Sequence, residues 1–384
     1  MKTYLKTKSS WIAIIGMLLS MWLFPLVSAA FSEEAVKSDA IVKTDHITIT
    51  DMAGRTVSVP HDPAKIACIG PGALRLIVYL QAQDKVAGVE DMEKMNPVGR
   101  PYWLAHWELE TLPRIGPGGP AGINKKPDME ALLAVSPDVV FVTYMDATLA
   151  DDVEKILGIP LVVLSYGAFA TFDKAVYEAL EIAGRVLNRE KRAAAVVAYI
   201  ESLRTDLHKR TGDIPADQKP GVYVGGIGYR GAHGIESTEV SYIPLQWNHA
   251  TNLAEQIPSR IGSHVFADKE ILLGLNPDVI FIDGGGLAMV TEDFRKKPEY
   301  YQALKAFQNR RIHILLPFNF YTTNIGTALA DAYAIGNILY PEKFTDLEPE
   351  QKADEIYTFL VGKPVYGEMK KEYGTIGRIA PFLE

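Results

Sequence analysis

One segment that occurs twice constrains the fold of this chain more than any other feature. Residues 128–142 recur at 268–282, so that Asp128 corresponds to Asp268 and the copies lie 140 positions apart. Each copy begins with acidic residues, continues as an apolar run with helical periodicity, and passes through a Pro-Asp turn into an unbroken apolar strand. A strand that is apolar on both faces is typical of a parallel sheet covered by helices on each side. Two such copies predict two similar α/β lobes.

Other short apolar runs supply the remaining strands. We predict strands at 66–69, 139–143, 161–164, 222–225, 279–282 and 312–316. The segment between the lobes has no proline and repeats apolar residues three and four positions apart, which predicts one long helix. We therefore expect an N-terminal lobe over 31–171, a linking helix over 172–211 and a C-terminal lobe over 212–384. Because a helical connection is stiff, the lobes should move little relative to each other.

The first 30 residues have the layout of a secretory signal peptide. Three lysines precede an apolar run over 11–27, and small residues follow the run. We expect cleavage near Ala29 or Ala30 and a periplasmic location for the mature chain. An uncleaved membrane anchor is the alternative, because the run is about as long as the shortest helix that spans a bilayer.

Composition and motifs exclude several functional classes. The formal net charge is −8, whereas a protein that binds nucleic acid needs clusters of Lys and Arg. The sequence has no nucleophile elbow, no P-loop and no His or Cys spacing typical of a metal site. We therefore expect no enzyme, no resident cofactor and no bare metal ion. The one cysteine, Cys68, lies in an apolar run and is predicted to be a buried small residue rather than a lipid carrier.

Several stretches carry a resemblance to a known family. They are ITITDMAGRTVSVP at 47–60, PAKIACI at 63–69 and DKVAGV at 84–89. These stretches resemble the beginning of the periplasmic solute-binding proteins that serve ABC importers of iron siderophores, haem and cobalamin. The resemblance continues through both repeats to PEKF at 341–344. It implies two Rossmann-like lobes with central parallel sheets, one long linking helix, and a ligand cleft between the lobes.

The same resemblance implies a docking glutamate on each lobe, paired with arginines of a membrane permease. Glu130 and Glu270 occupy the matching positions in the two repeats. From the residues alone, an acidic side chain at this place can instead stabilise a helix N-terminus through the helix dipole, by roughly 0.3–1 kcal/mol. The ABC permease subunits are thus the implied protein partner.

The candidate ligand contacts follow the predicted strands, because ligands of open parallel sheets bind beyond the carboxyl ends of the strands. Aromatic side chains at these ends offer flat apolar area, and Tyr adds a hydrogen-bonding group. Arg230 suits an anionic group of the ligand, whereas His233 is either a surface residue or an iron ligand. Aromatic residues in the loop after Val89 form either a wall of the cleft or a plug in the lobe. The predicted contacts are Tyr102, Trp103, Trp107, Tyr144, Tyr166, Tyr229, Arg230, His233, Phe320 and Tyr321.

Taken together, these observations predict a monomeric binding protein whose ligand is a ferric chelate of the siderophore type. Cobalamin and haem are alternative ligands within the same class. A chelatase-like enzyme is the alternative from another class, although export gives such an enzyme no evident purpose. A sensor that binds a ligand without transport is a third hypothesis.

Overall fold

Two parallel sheets form the centre of the protein in the computed structural model, which describes residues 45–168, 171–259 and 263–383. The first sheet has the order β3-β4-β5 and the second has the order β11-β10-β6-β8. Two short antiparallel pairs, β1-β2 and β7-β9, accompany them. The strands are β1 His46–Thr50, β2 Thr56–Pro60, β3 Ile66–Ile69, β4 Val139–Thr143, β5 Leu161–Leu164, β6 Gly221–Gly225, β7 Ser237–Glu239, β8 Thr251–Asn252, β9 His264–Phe266, β10 Val279–Asp283 and β11 Ile312–Leu315.

The duplicated segment forms the same unit in both lobes, a short helix followed by a central strand. All five residues of β4 and all five of β10 are buried, as expected for strands covered on both faces. The turn before each strand is also shared: the Asp138 carboxylate accepts the Lys65 amide, and the Asp278 carboxylate accepts the Gly221 amide. The predicted α/β fold with two lobes and parallel sheets is confirmed.

Helices cover both sheets and supply the layer between the lobes. Within the described ranges they are α1 Ala73–Tyr79, α2 Asp91–Lys94, α3 Pro101–Ala105, α4 Met129–Val135, α5 Ala147–Leu157, α6 Ala175–Val186, α7 Glu190–Thr211, α8 Ile243–Trp247, α9 Lys269–Leu275, α10 Leu287–Lys296, α11 Pro298–Gln302, α12 Lys305–Gln308, α13 Ile325–Leu339, α14 Pro349–Val361 and α15 Tyr366–Tyr373. None of these helices combines the length and hydropathy that crossing a membrane requires. The predicted signal peptide lies outside the described residues.

The segment predicted as one linking helix is divided into two helices. Between α6 and α7, Asn188 adopts a left-handed conformation with φ of 53°, which ends a right-handed helix. At Gly184 an added Cβ would lie 2.9 Å from the Cβ of Ala193, so α6 folds back closely against α7. The prediction of an unbroken helix is therefore wrong at 187–189. The long helix is α7, whose 22 residues span about 33 Å.

One buried cluster continues from the N-terminal lobe into the C-terminal lobe. It includes Cys68 in β3, Val196 in α7, Val224 in β6 and Ile335 in α13. The outer face of each sheet has a separate cluster of its own. Cys68 is buried, as predicted. Because both lobes share apolar packing with the helices between them, we expect their separation to be held by the core as well as by the connection.

Candidate ligand-binding site

The carboxyl ends of the strands from the two lobes meet around Gly72. Gly72 has φ of +79°, and a Cβ there would lie 2.5 Å from the ring of Tyr166 and 2.7 Å from the Thr322 methyl group. Tyr166 follows β5, and its hydroxyl donates to the Gly72 carbonyl at 2.9 Å. Thr322 belongs to the loop after β11 in the other lobe. A residue without a side chain is therefore required where the lobes touch.

Arg75 in α1 holds the loop that follows β11. Its guanidinium is fully buried, and it donates to the Thr323 carbonyl at 2.8 Å, to the Phe320 carbonyl at 3.0 Å and to the Tyr321 carbonyl at 3.1 Å. Tyr321 and Thr322 both have positive φ, at 53° and 65°. Two consecutive left-handed residues without glycine are costly. Arg75 offsets that cost by satisfying three carbonyls of the loop.

Tyr321 makes a second connection between the lobes. Its hydroxyl donates to the Glu90 carboxyl at 2.7 Å and accepts the Gly119 amide at 3.0 Å. The same oxygen of Glu90 accepts the Gly70 amide at 3.0 Å. Burial raises the pKa of Glu90 to about 7, although the Tyr321 hydrogen bond opposes the shift. Glu90 therefore gains or loses a proton near neutral pH at the point where the lobes meet.

Tyr102 and Trp103 are buried within the N-terminal lobe, with exposed fractions of 1% and 0%. The Tyr102 hydroxyl donates to the Glu93 carboxylate at 2.5 Å. Arg100 lies 3.5 Å from the same carboxylate, and its guanidinium stands 4.4 Å from the centroid of the Phe320 ring. Of the two alternatives for this loop, a wall or a plug, the burial of Tyr102 and Trp103 agrees with the plug.

Trp107 is half-exposed and begins a short 3-10 helix over Trp107–Thr111. It follows His106, whose ring nitrogen Nε2 lies 3.0 Å from the Val361 carbonyl at the end of α14. The residue before Trp107 is thus bound to the end of α14. The contact of Trp107 with a ligand remains a prediction.

Tyr144, Tyr166, Phe320 and Tyr321 all lie where the two lobes meet, and their contact with a ligand remains a prediction. Tyr144 is partly buried with φ of 60°, and burial raises the pKa of its hydroxyl while a hydrogen bond to Thr322 opposes the shift. Tyr144 and Phe320 remain partly accessible, whereas Tyr166 and Tyr321 are buried in contacts between the lobes. The accessible pair is therefore the part of this group that can touch a ligand without rearrangement.

A second aromatic group lies on the C-terminal lobe. Tyr229, with 45% of its surface exposed, stacks on His264 at a centroid distance of 4.2 Å. The Arg230 guanidinium stands 5.5 Å from the centre of the Tyr229 ring. Phe266 contacts the rings of His264 and His233 edge-on. The structure thus adds His264 and Phe266 to the predicted residues of this group.

Hydrogen bonds fix the proton positions on both histidines of this group when they are neutral. The Ser237 hydroxyl donates to the Ile227 carbonyl, so the His264 Nε2 atom, 2.8 Å from that hydroxyl oxygen, must carry the proton. The His233 Nε2 atom lies 2.7 Å from the Tyr229 carbonyl and also donates. The Nδ1 atom of each ring therefore keeps its lone pair. Such a nitrogen can accept a hydrogen bond from a ligand.

The loop that carries this second group is seated at the carboxyl edge of the C-terminal sheet. An added Cβ at Gly286, just after β10, would lie 2.2 Å from the Gly226 carbonyl and 2.6 Å from the His233 carbonyl. Gly226 follows β6, so the backbone after β6 and the backbone after β10 approach each other closely at the strand ends. The glycine run at 284–286 is thus a close turn that leaves room for the neighbouring loop.

Two buried carboxyls on the same lobe were not predicted as site residues. Asp283 ends β10 and accepts the Gly285 amide at 2.8 Å. Burial raises its pKa to about 7. Burial and the nearby Asp283 charge together raise the pKa of Glu239 to about 8. For Asp283 the signal in the sequence was an acidic residue at the end of an otherwise apolar strand.

Glu130 and Glu270 occupy equivalent positions on exposed helix surfaces. Asp128 caps α4 by accepting the Ala131 amide at 3.1 Å, and Asp268 caps α9 by accepting the Ile271 amide at 2.8 Å. The capping role is therefore taken by the aspartates, which leaves both glutamate side chains in solvent. Among residues 45–168, 171–259 and 263–383, no group of three or more His, Cys, Asp or Glu side chains has the arrangement of a metal site.

Comparison with known proteins places this geometry among binding proteins. Residues 66–317 match the protein family described as periplasmic binding protein. The molybdate-binding protein MolA of Haemophilus influenzae is 24% identical over 331 residues, which are 80% of this chain and 89% of MolA.

Solved structures share the fold. A periplasmic solute binding protein from Veillonella parvula superimposes with a TM-score of 0.67 at 17% identity, over 86% of this chain and 97% of that protein. The petrobactin-binding protein YclQ from Bacillus subtilis superimposes with a TM-score of 0.52 at 18% identity, over 82% of this chain and 99% of YclQ. At these identities the similarity establishes the two-lobed architecture alone.

Proposed function

Because this chain belongs to the family of periplasmic binding proteins, which supply substrates to ABC importers, we propose that it captures a ferric chelate of the siderophore type. In this proposal the chain is exported, acts as a monomer without catalysing a reaction, and delivers the chelate to the permease subunits. The ligand sits between the strand ends of the two lobes.

The aromatic surface of the site is the observation that carries this proposal. Tyr144 and Phe320 at the junction of the lobes, and Tyr229 in the loop after β6, are all partly or fully exposed. Flat apolar rings with hydroxyl groups suit a chelate whose organic part surrounds the metal. Arg230 is exposed beside Tyr229 and provides a fork-shaped cation for carboxylate or catecholate oxygens. YclQ, which shares the fold, is by its name a petrobactin-binding protein.

A molybdate-type oxyanion is the second candidate, and the buried arginines favour it. Arg75 and Arg100 are both fully buried beside the loop after β11. Within the described part of the chain, the Arg100 atoms Nε and Nη2 have no hydrogen-bond partner. Guanidinium donors of this kind suit a tetrahedral oxyanion. MolA, by its name, binds molybdate. The small size of an oxyanion would leave Tyr229 and Arg230 without a ligand contact.

Isothermal titration calorimetry of the mature protein separates these candidates. The ligands to titrate are a ferric catecholate siderophore, a ferric hydroxamate siderophore, haemin, cobalamin and molybdate. We expect binding of a ferric siderophore, and a loss of affinity of about tenfold or more in Arg230→Ala, because a charge-assisted hydrogen bond is lost. Arg295→Ala, which removes an exposed arginine in α10, should leave the affinity unchanged.

The outcomes of the titration are distinct. Binding of molybdate without any ferric chelate would replace the proposal by the second candidate, and the Arg230→Ala variant should then bind like the wild type. Binding of haemin or cobalamin alone would keep the class of protein and change the ligand.

A further inference from the structure

A leucine lies exposed three residues after each glutamate proposed to dock. Leu133 follows Glu130 in α4 and is 48% exposed, and Leu273 follows Glu270 in α9 and is 37% exposed. Residues three apart on a helix lie on the same face. We propose that each lobe presents a composite Glu-Leu contact, in which the leucine packs against an apolar side chain beside the cation of the permease. This inference rests on the docking part of the proposed function.

The duplication extends beyond sequence to burial. In each helix the buried residue is a single leucine, Leu132 in α4 and Leu272 in α9. A short helix that needs one apolar anchor has no packing reason to expose a second leucine next to it. Scattered exposed leucines are common on proteins. An exposed leucine at the same place in two lobes, each time beside an exposed glutamate, is a repeated surface.

Topology places both Glu-Leu contacts at the edges that flank the ligand site. Each helix leads directly into the central strand of its sheet, and the turn between them is pinned at the amino edge by Asp138 in one lobe and Asp278 in the other. A helix that precedes a strand in this way runs antiparallel to it. Its first turn, which carries the glutamate, therefore points toward the carboxyl edge where the ligand sits. A partner that covers the mouth of the site would meet both contacts.

Charge identifies the kind of partner. Among the described residues, neither Glu130 nor Glu270 takes part in a salt bridge, although Asp128 and Lys269 beside them do. An unpaired carboxylate beside an apolar side chain fits a protein surface with an arginine or lysine next to an apolar residue. An anionic lipid surface would be repelled by the glutamates, and so would the same patch of a second copy of this chain. Because each lobe carries one such contact, the partner must have two matching surfaces, one for each lobe.

Binding to the importer complex in lipid nanodiscs, measured by biolayer interferometry without ligand, tests the inference. We expect Leu133→Ser and Leu273→Ser each to raise the dissociation constant by about threefold to tenfold, because each removes roughly half a leucine of buried area. The double variant should lose affinity by about the product of the two. Ile156→Ser in α5, where the isoleucine is 56% exposed, is the matched control and should bind like the wild type.

Salt dependence distinguishes the two halves of the contact. Glu130→Gln and Glu270→Gln should weaken binding and flatten its dependence on ionic strength, whereas the leucine variants should keep the wild-type dependence. Wild-type affinity in the leucine variants, together with weak binding of the glutamine variants, would overturn this inference and leave the docking proposal intact. Wild-type affinity in all four variants would overturn both.

Discussion

The two lobes meet at one site but hold their buried charges in different ways. Among the described residues the buried arginines are Arg55, Arg75 and Arg100, all in the N-terminal lobe. The buried charged residues of the C-terminal lobe are Glu239, Asp283 and Asp331, all acidic.

Burial raises the pKa of each of these three carboxyls. The N-terminal lobe therefore buries arginines, which stay charged. The buried carboxyls of the C-terminal lobe instead lose their charge by binding protons.

The buried charged residues therefore have different effects in the two lobes. The buried cation Arg75 fixes a strained loop of the opposite lobe through three carbonyls, which makes the junction rigid. The acidic C-terminal side instead becomes more negative as pH rises. Glu90 is the exception in the N-terminal lobe, because its partners are the Tyr321 hydroxyl and the Gly70 amide. It shares the raised pKa of the acidic side.

The largest expected change in stability comes from replacing a buried arginine of the N-terminal lobe. Arg75→Met should lower the free energy of unfolding by about 3–5 kcal/mol, because it removes the hydrogen bonds to the buried Tyr321 and Thr323 carbonyls and leaves the two left-handed residues of the loop unsupported. Arg295→Met, at an exposed position, should change it by less than about 0.5 kcal/mol. Urea denaturation followed by far-UV circular dichroism measures both. Equal stability of the two variants would contradict the clamping role of Arg75.

A smaller change in stability is expected from the buried carboxyls of the C-terminal lobe. The folded pKa of Asp283 is raised from 3.8 to about 7, so between those values the folded state holds a proton that the unfolded state has released. Stability from this group is complete below about pH 3.8 and is lost as pH rises from there to about 7. The part lost above about pH 5 is on the order of 3 kcal/mol.

Urea denaturation between about pH 5 and about pH 8 checks the sign of this effect. Asp283→Asn should flatten the fall in stability, whereas the exposed-site control Glu181→Gln should follow the wild type. A wild type that becomes more stable as pH rises over this range, or an Asp283→Asn variant that is as steep as the wild type, would contradict the assignment.

Much of the fold follows from patterns within the sequence. The repeat at 128–142 and 268–282 predicted the helix-strand units, because apolar periodicity and the Pro-Asp turn are local signals. The break at Asn188 was missed, since an asparagine that turns left-handed looks like any polar residue within a helical pattern. The burial of Tyr102 and Trp103 could not be predicted from the sequence either, because an aromatic loop has the same composition whether it lines a cleft or fills a core.

The sequence predicted part of the site, because the places where strands end can be read from local patterns. Tyr144, Tyr166, Phe320 and Tyr321 follow strands, and strand ends converge, so their proximity could be predicted. Arg75 lies in an otherwise apolar helix, ALRLIVY, and that isolated charge was a usable signal. His264 could not be found, because its stacking on Tyr229 depends on the pairing of β7 with β9.

A crystal structure of the protein grown with a ferric siderophore tests the central claim most directly. We expect ligand density between the strand ends of the two lobes, in contact with Tyr144, Phe320 and Tyr229, with the Arg75 hydrogen bonds unchanged. The protein also has a cavity of about 420 Å³ beside α7, lined by Phe172, Arg204 and Trp247 among others. Ligand density in that cavity, with the junction of the lobes empty, would contradict the account.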